Sequence, residues 1–578
     1  MIEKNDIICA VTDAIGSNGE GIIRHEGITF FVPACLPGEK VRFRVLKIKG
    51  NIGYGKAEEI ITPAEERVRE KCPVFIKCGG CCLQHLDYSA QVLHKSNVVR
   101  DALRKIGGLQ IKVPIAIKSD NPYGYRNKLQ IPVGVDKDGK TVIGFYAEHS
   151  HRIVPVSACA IHPEWAEKLI AIVKRYMTEC AVKGYDEETK KGAIRHIVAR
   201  EIGGKHIITL VTAKRELPNL PYLTGLLSEV FSTFTLYLNF NDQDTNVIFG
   251  KEFQLVHGMG FFQAEEQGIV YEAGPMTFLQ INENVRTKLY KDVLKKVCVD
   301  GDEVVIDAYS GGGLLTAMIA KKAKRVYGIE LEKEASRCAD SLKQMNGLSN
   351  MTNICGYVEE ELSAVLEKEK GEKVRLVLDP PRAGIARSVV KALLASGIPQ
   401  LVLVSCNPAT LARDLGILTG RLIEKEGELI KNPAYEGVGE GETLSGYYEI
   451  EKIQPYDMFP QTKHVETLVQ LSHKKPATNL EVALDFENSE VESSLVDLET
   501  RVKSKETVKV TYKMIQEYIE EKYGFKVHTA YIAEVKRELG LPMYDAPNAV
   551  EELKKPRQHP TEKMVEAIKD ALKYFEII

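Results

Sequence analysis

The apolar run Leu401-Val402-Leu403-Val404 restricts the possible folds of this chain more than any other stretch. A run of this kind is typical of a strand that is buried on both faces of a parallel sheet. The strand is expected to end within Ser405-Cys406-Asn407-Pro408, because proline cannot extend the hydrogen-bonded ladder. Cys406 would then lie at the carboxyl end of a buried strand, where open α/β sheets bind ligands. A buried structural cysteine is the alternative interpretation of this stretch taken alone.

Further buried strands are predicted in the same part of the chain, at residues 302–307, 325–330 and 374–378. The first leads into the glycine-rich segment 309–313, the second ends in Glu330, and the third is followed by Asp379. Strands and helices alternate here, which indicates a parallel sheet with crossover helices whose strand ends share one crevice. A glycine-rich turn followed by an acid fits either NAD or S-adenosylmethionine.

The composition is that of a soluble globular protein, with 44% hydrophobic and 27% charged residues among 578. A chain of this length exceeds one hydrophobic core, and about three to five domains are expected. No apolar run is long enough to span a bilayer, and the polar start at residues 1–6 is unlike a signal peptide. We therefore expect a cytoplasmic protein without membrane association. The formal net charge of -3 argues against indiscriminate binding of polyanions, although it is compatible with a local basic surface.

Twelve cysteines in a cytoplasmic chain are more typical of metal binding or catalysis than of structural disulfides. Several of them share one short segment with the flexible pair Gly79-Gly80: Cys72, Cys78, Cys81 and Cys82. This spacing indicates a metal site, and it does not separate zinc from an iron–sulfur cluster. A further thiolate must come from elsewhere. Cys159 is our choice, Cys82 is expected not to bind, and unligated cysteines are the alternative interpretation.

Residues 1–62 are predicted to form an all-β domain, since glycine and Asp/Asn turns separate short alternating runs. One of these runs, at residues 40–49, carries only basic side chains at its polar positions: Lys40, Arg42, Arg44, Lys47 and Lys49. A small barrel with a basic strand suits single-stranded nucleic acid, and a solvated edge strand protected by lysines is the alternative. The segment resembles a TRAM domain, an RNA-binding module similar to the OB-fold barrel.

The rest of the chain divides into three parts. Residues 63–90 and 108–260 are interpreted as a central α+β domain that contains the cysteine-rich segment, and residues 91–107 and 261–473 as the α/β domain. An amphipathic helix is predicted at the start of this second part, at residues 91–106. Residues 474–578 are interpreted as an acidic linker and a helical accessory domain, with helices predicted at 512–523, 529–539 and 561–575. The two helices around Gly524 would suit a helix-turn-helix.

Together, these motifs resemble those of the RNA (uracil-5-)-methyltransferase family, in particular the 23S ribosomal RNA branch with an iron–sulfur cluster. The resemblance covers residues 1–473 and depends on these segments: Cys72/Cys78/Cys81/Cys159, Phe278-Leu-Gln-Ile-Asn282, Asp307-Ala-Tyr-Ser-Gly311, Asp379-Pro-Pro-Arg-Ala-Gly384, Ser405-Cys-Asn-Pro-Ala-Thr-Leu-Ala-Arg-Asp414 and His464-Val-Glu-Thr467. It implies a Rossmann-like α/β methyltransferase domain, an N-terminal OB-like TRAM barrel and a central α+β iron–sulfur domain. The small helical appendage at the carboxyl end lies outside it.

The resemblance also implies which residues bind cofactors. S-adenosylmethionine would be contacted by Gln280, Tyr309, Glu330 and Asp379, and a [4Fe–4S] cluster would be held by Cys72, Cys78, Cys81 and Cys159. Gln263 lies in a similar motif, but only Gln280 directly precedes the helix that leads into the glycine-containing strand. Leu314 and Tyr357 depart from the residues that many members have on the adenine side of the cofactor.

The expected reaction is methylation of carbon 5 of a uridine, with 23S ribosomal RNA as the expected substrate and transfer RNA as the alternative. Cys406, as a thiolate, would add to carbon 6 of a base that has left its stack, and Glu466 would later remove the carbon 5 proton. The position of Cys406 at the strand ends is expected to lower its pKa. We expect a monomer. A non-catalytic RNA-binding iron–sulfur protein and an NAD-dependent oxidoreductase are the alternatives from other functional classes.

Overall fold

The computed structural model describes the chain at residues 2–425, 428–435, 443–474, 512–523, 525, 527, 531–532, 535–536 and 561–574. The chain divides into two units, Met1–Thr478 and Asn479–Ile578. Within the described ranges, no helix combines the length and the apolar composition that crossing a bilayer requires. The first unit is built on three large sheets, one of six strands and two of seven.

The N-terminal sheet consists of β1 (Ile7–Val11), β2 (Ala14–Ile15), β3 (Gly21–His25), β4 (Ile28–Val32), β5 (Lys40–Lys49) and β6 (Ile52–Thr62). Their order across the sheet is β1-β5-β6-β4-β3-β2. Alternate residues of β5, namely Val41, Phe43 and Val45, are fully buried and belong to one apolar cluster with Phe30 of β4. The alternation in the sequence of β5 thus corresponds to one buried and one exposed face. The assignment of residues 1–62 to a TRAM domain stays a prediction.

The exposed face of β5 is less basic than its sequence indicates. Arg42 forms an ion pair with Glu59 at 2.7 Å between nitrogen and oxygen, and Arg44 forms one with Glu58 at 2.7 Å. Both acids belong to the neighbouring strand β6. Because cross-strand pairs cancel charge locally, these two positions favour the solvated strand over a surface dedicated to polyanions.

Helix α1 (Tyr88–Lys105) follows the cysteine-rich segment. It begins three residues before the predicted start at residue 91, because the side chain of Asp87 accepts a hydrogen bond from the Ser89 N–H at 2.8 Å and caps the helix. Its buried residues Val99 and Leu103 pack into the apolar cluster of the C-terminal sheet of this unit. A segment far from the α/β domain in sequence therefore contributes to its core.

The central sheet contains β7 (Lys128–Val135), β8 (Thr141–Tyr146), β9 (Ile153–Pro155), β10 (Ile194–Ile202), β11 (Lys205–Thr212), β12 (Phe234–Phe240) and β13 (Glu252–His257), in the order β13-β12-β11-β10-β7-β8-β9. Helices α2 (Glu164–Glu179) and α3 (Leu220–Ser228) share one apolar cluster with it. The antiparallel hairpin of β14 (Phe262–Glu266) and β15 (Ile269–Ala273) follows along the chain.

The third sheet contains β16 (Val304–Ala308), β17 (Arg325–Glu330), β18 (Met351–Cys355), β19 (Val374–Leu378), β20 (Gln400–Ser405), β23 (Tyr448–Tyr456) and β24 (Glu466–His473), and a separate hairpin is formed by β21 (Leu422–Lys425) and β22 (Glu428–Lys431). The strand order is β18-β17-β16-β19-β20-β24-β23, and the first five strands are parallel. The predicted Rossmann-like sheet is confirmed, whereas β18 was not predicted. Strand β24 runs antiparallel to β20, so its second residue, Thr467, is paired with the last residue of β20, Ser405.

Helices cover both faces of this sheet: α4 (Glu283–Val297), α5 (Leu314–Ala320), α6 (Lys333–Met345), α7 (Val358–Lys368), α8 (Arg387–Ser396) and α9 (Pro408–Leu418), with a 3-10 turn at Pro433–Tyr435. Alternate residues of β20 point to opposite faces. Val402 and Val404 pack with α4 and α5, while Leu401 and Leu403 pack with α7, α8 and α9. Burial on both faces explains why the strand is apolar without interruption.

The second unit is described in two helices and a few residues between them. Helix α10 (Tyr512–Tyr523) has the predicted bounds, and α11 (Glu562–Tyr574) is one residue shorter at each end than predicted. The two helices are joined by an apolar cluster and by a hydrogen bond of 3.0 Å from the Tyr518 hydroxyl to Asp570. The predicted linker and most of the predicted helix at 529–539 lie outside the described residues.

Candidate active site and cysteine cavity

Cys406 and Glu466 come together at the junction of β20 and β24. In the antiparallel ladder Ser405 is paired with Thr467, and Cys406 and Glu466 occupy the next positions on the two strands. Glu466 is 3% exposed and Cys406 is half-buried. The chain turns sharply after Cys406 because the side chain of Asn407 accepts a hydrogen bond from the Ala409 N–H at 3.1 Å and starts α9.

The loop after β19 lies against the start of α9. The Asn407 side chain donates a hydrogen bond to the carbonyl of Arg382 at 3.1 Å. The buried carboxylate of Asp414 accepts one from the Ile385 N–H at 2.9 Å and is also paired with the guanidinium of Arg413 at 2.6 Å. Both motifs of the sequence, Asp379-Pro-Pro-Arg and Ser-Cys-Asn-Pro, are therefore joined by direct hydrogen bonds.

A cavity of about 310 Å³ opens at the carboxyl ends of β16 and β19. It is lined by the glycine-rich turn together with Asp307, Asp379 and Tyr290. Tyr309 has a φ of +66°, a left-handed backbone conformation that is strained for an aromatic residue. Gly313 has a φ of +80°, and a Cβ atom there would lie 2.7 Å from the Cβ of Ala339. Gly313 is thus required by its packing against α6, whereas Gly311 and Gly312 leave open space beside the cavity that they line.

The residues predicted to contact the cofactor are only partly brought together at this cavity. Tyr309 and Asp379 line it, while Gln280 and Glu330 are not among its lining residues. The carboxylate of Glu330 accepts a hydrogen bond at 2.8 Å from the N–H of Gly311, which does line the cavity. Of the two departures from the family pattern, Leu314 lines the cavity and Tyr357 is half-exposed at the start of α7.

Several acids at the strand ends have raised pKa values. Burial raises the pKa of Asp307 and that of Asp379 to about 7. Burial, with a smaller contribution from the charge of Asp379, raises the pKa of Glu466 to about 8. The prediction that the strand ends lower the pKa of Cys406 is wrong. Burial, together with the nearby Glu466, raises this pKa to about 11, and the positive charge of Arg382 opposes the rise.

The four predicted metal ligands line one second cavity of about 350 Å³: Cys72, Cys78, Cys81 and Cys159. Cys82 is not among its lining residues. Burial raises the pKa of Cys81 to about 12 and that of Cys159 to about 11, so thiolates here require a compensating positive charge. Arg382 and His464 line the same cavity, which therefore extends toward the Cys406 junction.

The spacing of the four sulfur atoms bears on which group fits. Tetrahedral zinc with Zn–S bonds of about 2.3 Å requires sulfur atoms about 3.8 Å apart. In the part of the chain that the structure describes, no three of these cysteines have sulfur atoms that all lie within 4.8 Å of one another. The four thiols are therefore not gathered as tightly as one zinc ion requires, and the cavity that they line has room for a larger group.

Sequence analysis missed three contributions to the site. Tyr290 and Asp307 line the first cavity, although neither was predicted to contact the cofactor. Arg413 and Asp414 belong to the segment that begins at Ser405, so their presence in that motif was the available signal. The buried ion pair of Lys95 with Asp457, 2.5 Å between nitrogen and oxygen, joins segments far apart in sequence and has no such signal.

A mostly parallel sheet with a glycine-rich turn, acids and a cysteine at neighbouring strand ends defines a Rossmann-like protein with a ligand site at those ends. A model of the tRNA (Uracil-5-)-methyltransferase family matches residues 243–425. An uncharacterized RNA methyltransferase of Clostridium tetani is 36% identical over 82% of this chain and 97% of its own length. One of Listeria innocua is 35% identical over 82% of this chain and 99% of its own. The chain therefore belongs to the RNA (uracil-5-)-methyltransferase family.

A solved structure is similar over most of the chain. The tRNA (uracil-54, C5)-methyltransferase of Pyrococcus abyssi, in complex with S-adenosyl-L-homocysteine, has a TM-score of 0.62 and is 25% identical. The match covers 80% of this chain and 99% of that one. The predicted enzyme class is confirmed by these relatives, while the 23S ribosomal RNA branch stays a prediction.

Proposed function

We propose that this enzyme methylates carbon 5 of a uridine in RNA through a covalent adduct on Cys406. The proximity of Cys406 and Glu466 at the β20–β24 junction carries this proposal. Asp379 lines the adjacent cavity and raises the pKa of both groups, so a nucleophile, a base and a cofactor site adjoin one another. This is the arrangement that methylation of a poorly nucleophilic carbon needs.

The first cavity supports S-adenosylmethionine as the methyl donor. Bound there, S-adenosylmethionine supplies an electrophilic methyl group on a cationic sulfur. Asp307 and Asp379 are well suited to bind a cation, because ionised carboxylates buried without a counter-charge are costly. The glycine-rich turn provides the close backbone approach that such a ligand requires.

Cys406 begins the reaction. Its sulfur adds to carbon 6 of the uracil, and the electron pair of the double bond moves to carbon 5 and the adjoining carbonyl. Carbon 5 is then nucleophilic enough to take the methyl group. Arg382 is the nearby cation that favours the thiolate form of Cys406.

Glu466 completes the reaction. Its carboxylate takes the proton from carbon 5, the released electron pair restores the double bond between carbons 5 and 6, and the carbon–sulfur bond breaks. The thiolate of Cys406 is regenerated with the departing pair of electrons. Since burial raises the pKa of Glu466 to about 8, the base is more fully ionised under mildly alkaline conditions.

The cysteines that line the second cavity fit a [4Fe–4S] cluster, which would be held by Cys72, Cys78, Cys81 and Cys159. The volume of their shared cavity, about 350 Å³, supports a group larger than a single zinc ion. No step of the methylation requires electron transfer, so we assign the bound group a role in the structure of the RNA-binding region.

We propose 23S ribosomal RNA as the substrate, with transfer RNA as a second candidate. The cysteine cavity supports the first, because the resemblance to the branch of the family with an iron–sulfur cluster implies ribosomal RNA. The similarity to the Pyrococcus abyssi transfer RNA enzyme favours the second.

The experiment is incubation of the purified protein with methyl-labelled S-adenosylmethionine and unmodified ribosomal or transfer RNA. Label at carbon 5 of a uridine in 23S ribosomal RNA is the expected result. Label in transfer RNA alone would instead identify transfer RNA as the substrate. Absence of label from both RNAs would overturn the proposed function.

A further inference from the structure

A buried loop, residues 457–465, connects β23 to β24 and directly precedes Glu466, the first residue of β24. We name it the base loop. On one side it is fixed to α1 by Lys95, whose ammonium pairs with Asp457 at 2.5 Å and donates to the Phe459 carbonyl at 2.9 Å. Lys95 and Asp457 are both 1% exposed or less. The Tyr125 hydroxyl donates a further hydrogen bond to the Pro460 carbonyl at 3.0 Å.

On its other side the base loop is bonded to residues 72–83, which we name the cysteine loop. The N–H groups of Cys82 and Leu83 both donate to the carbonyl of Gln461, at 3.1 and 3.0 Å. Gln461 is 1% exposed and has a φ of +70°, so its backbone is held in a left-handed conformation at the point of contact. Such strain persists only where the surrounding contacts determine it.

Gln91 of α1 bridges the two loops. The two hydrogens of its amide nitrogen are shared among three acceptors, the side-chain oxygen of Gln461 at 3.0 Å and the carbonyls of Leu83 at 3.0 Å and Leu86 at 2.7 Å. Its oxygen accepts from the Gln461 N–H at 3.1 Å. Gln91 is also 1% exposed. One buried amide thus satisfies polar groups of the cysteine loop and of the base loop at the same time.

We propose that Gln91 and Gln461 are positioning residues that make the placement of Glu466 depend on the folded cysteine loop. This inference rests on the proposed function. Cys406 is also held from the side opposite the base loop, because β20 pairs with β19 as far as Leu403 and the Asn407 side chain donates to the Arg382 carbonyl. Loosening the base loop therefore affects transfer of the carbon 5 proton to Glu466 and leaves addition of the Cys406 sulfur to carbon 6 unchanged.

Replacing Gln91 by methionine tests this inference, since Gln91→Met keeps the side-chain length and removes every hydrogen bond. Wild type and variant are mixed with labelled S-adenosylmethionine and unmodified RNA, and samples are quenched over time. Denaturing gels separate label in a protein–RNA adduct from label in free RNA. We expect adduct to form at the wild-type rate and to resolve about tenfold more slowly, because a small displacement of a base costs at least that much in rate.

The matched control is Asn239→Leu. Asn239 is fully buried in the central sheet and donates to the carbonyls of Gly250 and Glu252, both at 3.0 Å, without any contact to the base loop. This variant should lose stability without accumulating adduct. Equal accumulation in both variants, or none in Gln91→Met, would overturn the inference.

A second variant covers the case in which Gln91→Met does not fold. Gln461→Gly suits the left-handed backbone and keeps the carbonyl that accepts from the cysteine loop. It removes the side-chain bond to Gln91 and a longer one, of 3.5 Å, to the Pro122 carbonyl. Adduct should again resolve more slowly than in wild type, and unchanged resolution contradicts the inference. If wild type labels no RNA, the proposed function fails first. If wild type methylates RNA and both variants resolve the adduct as fast as wild type, the inference fails and the proposed function stands.

Discussion

Cys406 and Glu466 are neighbours in the sheet but are expected to act at different steps of the reaction. Substitutions of the two residues should therefore stop the reaction at different stages. Cys406→Ala should bind RNA and cofactor without forming an adduct, because the sulfur begins the reaction. Glu466→Gln should add and transfer methyl and then stall, because the carbon 5 proton stays in place. Denaturing gels with labelled cofactor should show the adduct band only in Glu466→Gln.

The converse result would be equally informative. Turnover by Cys406→Ala would mean that the cysteine is a buried structural residue and that another group attacks the base. Wild-type protein mixed with RNA that already carries 5-methyluridine serves as the control for unspecific cross-linking.

Asp379 links pH to the stability of the ligand-free protein. Its pKa is about 7 in the folded state, above the value of about 3.9 expected in the unfolded chain, because burial disfavours the charged form. Its contribution to stability is therefore complete below pH 4 and is lost as the pH rises through 7. Asp379→Asn should raise the free energy of unfolding at pH 8 by on the order of 1–4 kcal/mol, with little change at pH 4.

The measurement is chemical denaturation of wild type and variant at both pH values, with calorimetric titration of S-adenosylmethionine. The stabilised variant should bind the cofactor more weakly, since it lacks the carboxylate that the proposed function assigns to binding the cation. Asp138→Asn, in an exposed turn, is the control and should change neither quantity. A variant that is destabilised at pH 8 would contradict the assignment.

At the scale of elements, α9 supports the loop that follows β19. Asp414→Asn would weaken the ion pair with Arg413 and the bond from the Ile385 N–H. Because Asp414 is 2% exposed, we expect a loss of about 1–3 kcal/mol in the free energy of unfolding and weaker cofactor binding. Glu424→Gln, which removes an exposed partner of Arg387, should cost less than about 1 kcal/mol. Similar losses in the two variants would argue against the supporting role of α9.

The elements differ in how far the sequence determines them. Strands β17 and β19 have the predicted bounds, because burial on both faces leaves an apolar run with clear ends. Strand β18 was missed because it lies at the edge of the sheet, where only Met351 of its residues is fully buried and no apolar run results. Helix α1 began earlier than predicted, since one capping side chain decides where a helix starts.

Site residues that lie in short motifs could be predicted from the sequence, whereas effects of contacts between distant segments could not. Motifs in the sequence pointed to Cys406, Glu466 and Asp379 because short segments carry them. The pKa of Cys406 depends on burial and on Glu466, which reaches it only through sheet pairing, and so the expected direction was wrong. The contacts of Gln91 with Gln461 join residues from opposite ends of the first unit and leave no pattern in the sequence.

At the scale of the whole molecule, the cysteine cavity joins segments on either side of α1, so metal and fold should be linked. Protein purified without oxygen should contain about four iron atoms per chain. Cys159→Ala should lose the iron and unfold at a lower denaturant concentration, because the ligand that bridges distant segments is gone. Metal analysis and denaturation curves provide the measurement.

Cys82→Ala is the matched control, since Cys82 adjoins Cys81 in sequence but does not line the cavity. It should keep its iron. Stoichiometric zinc in the wild type, with no iron, would instead favour the single-ion interpretation of the cavity.

The ladder between β20 and β24 runs unbroken from Gln400 to Ser405, and the two reacting side chains follow directly from it. Sheet pairing is stiff, so the backbones at Cys406 and Glu466 have little freedom to move around an incoming base, and the base loop can adjust only the position of the Glu466 side chain. Under the proposed function, the RNA rather than the enzyme backbone must then change its conformation when the target base binds. The modified uridine should lie in a strained or loosely stacked loop. It should be methylated early in the maturation of the ribosome or of transfer RNA, before tertiary folding makes the base inaccessible.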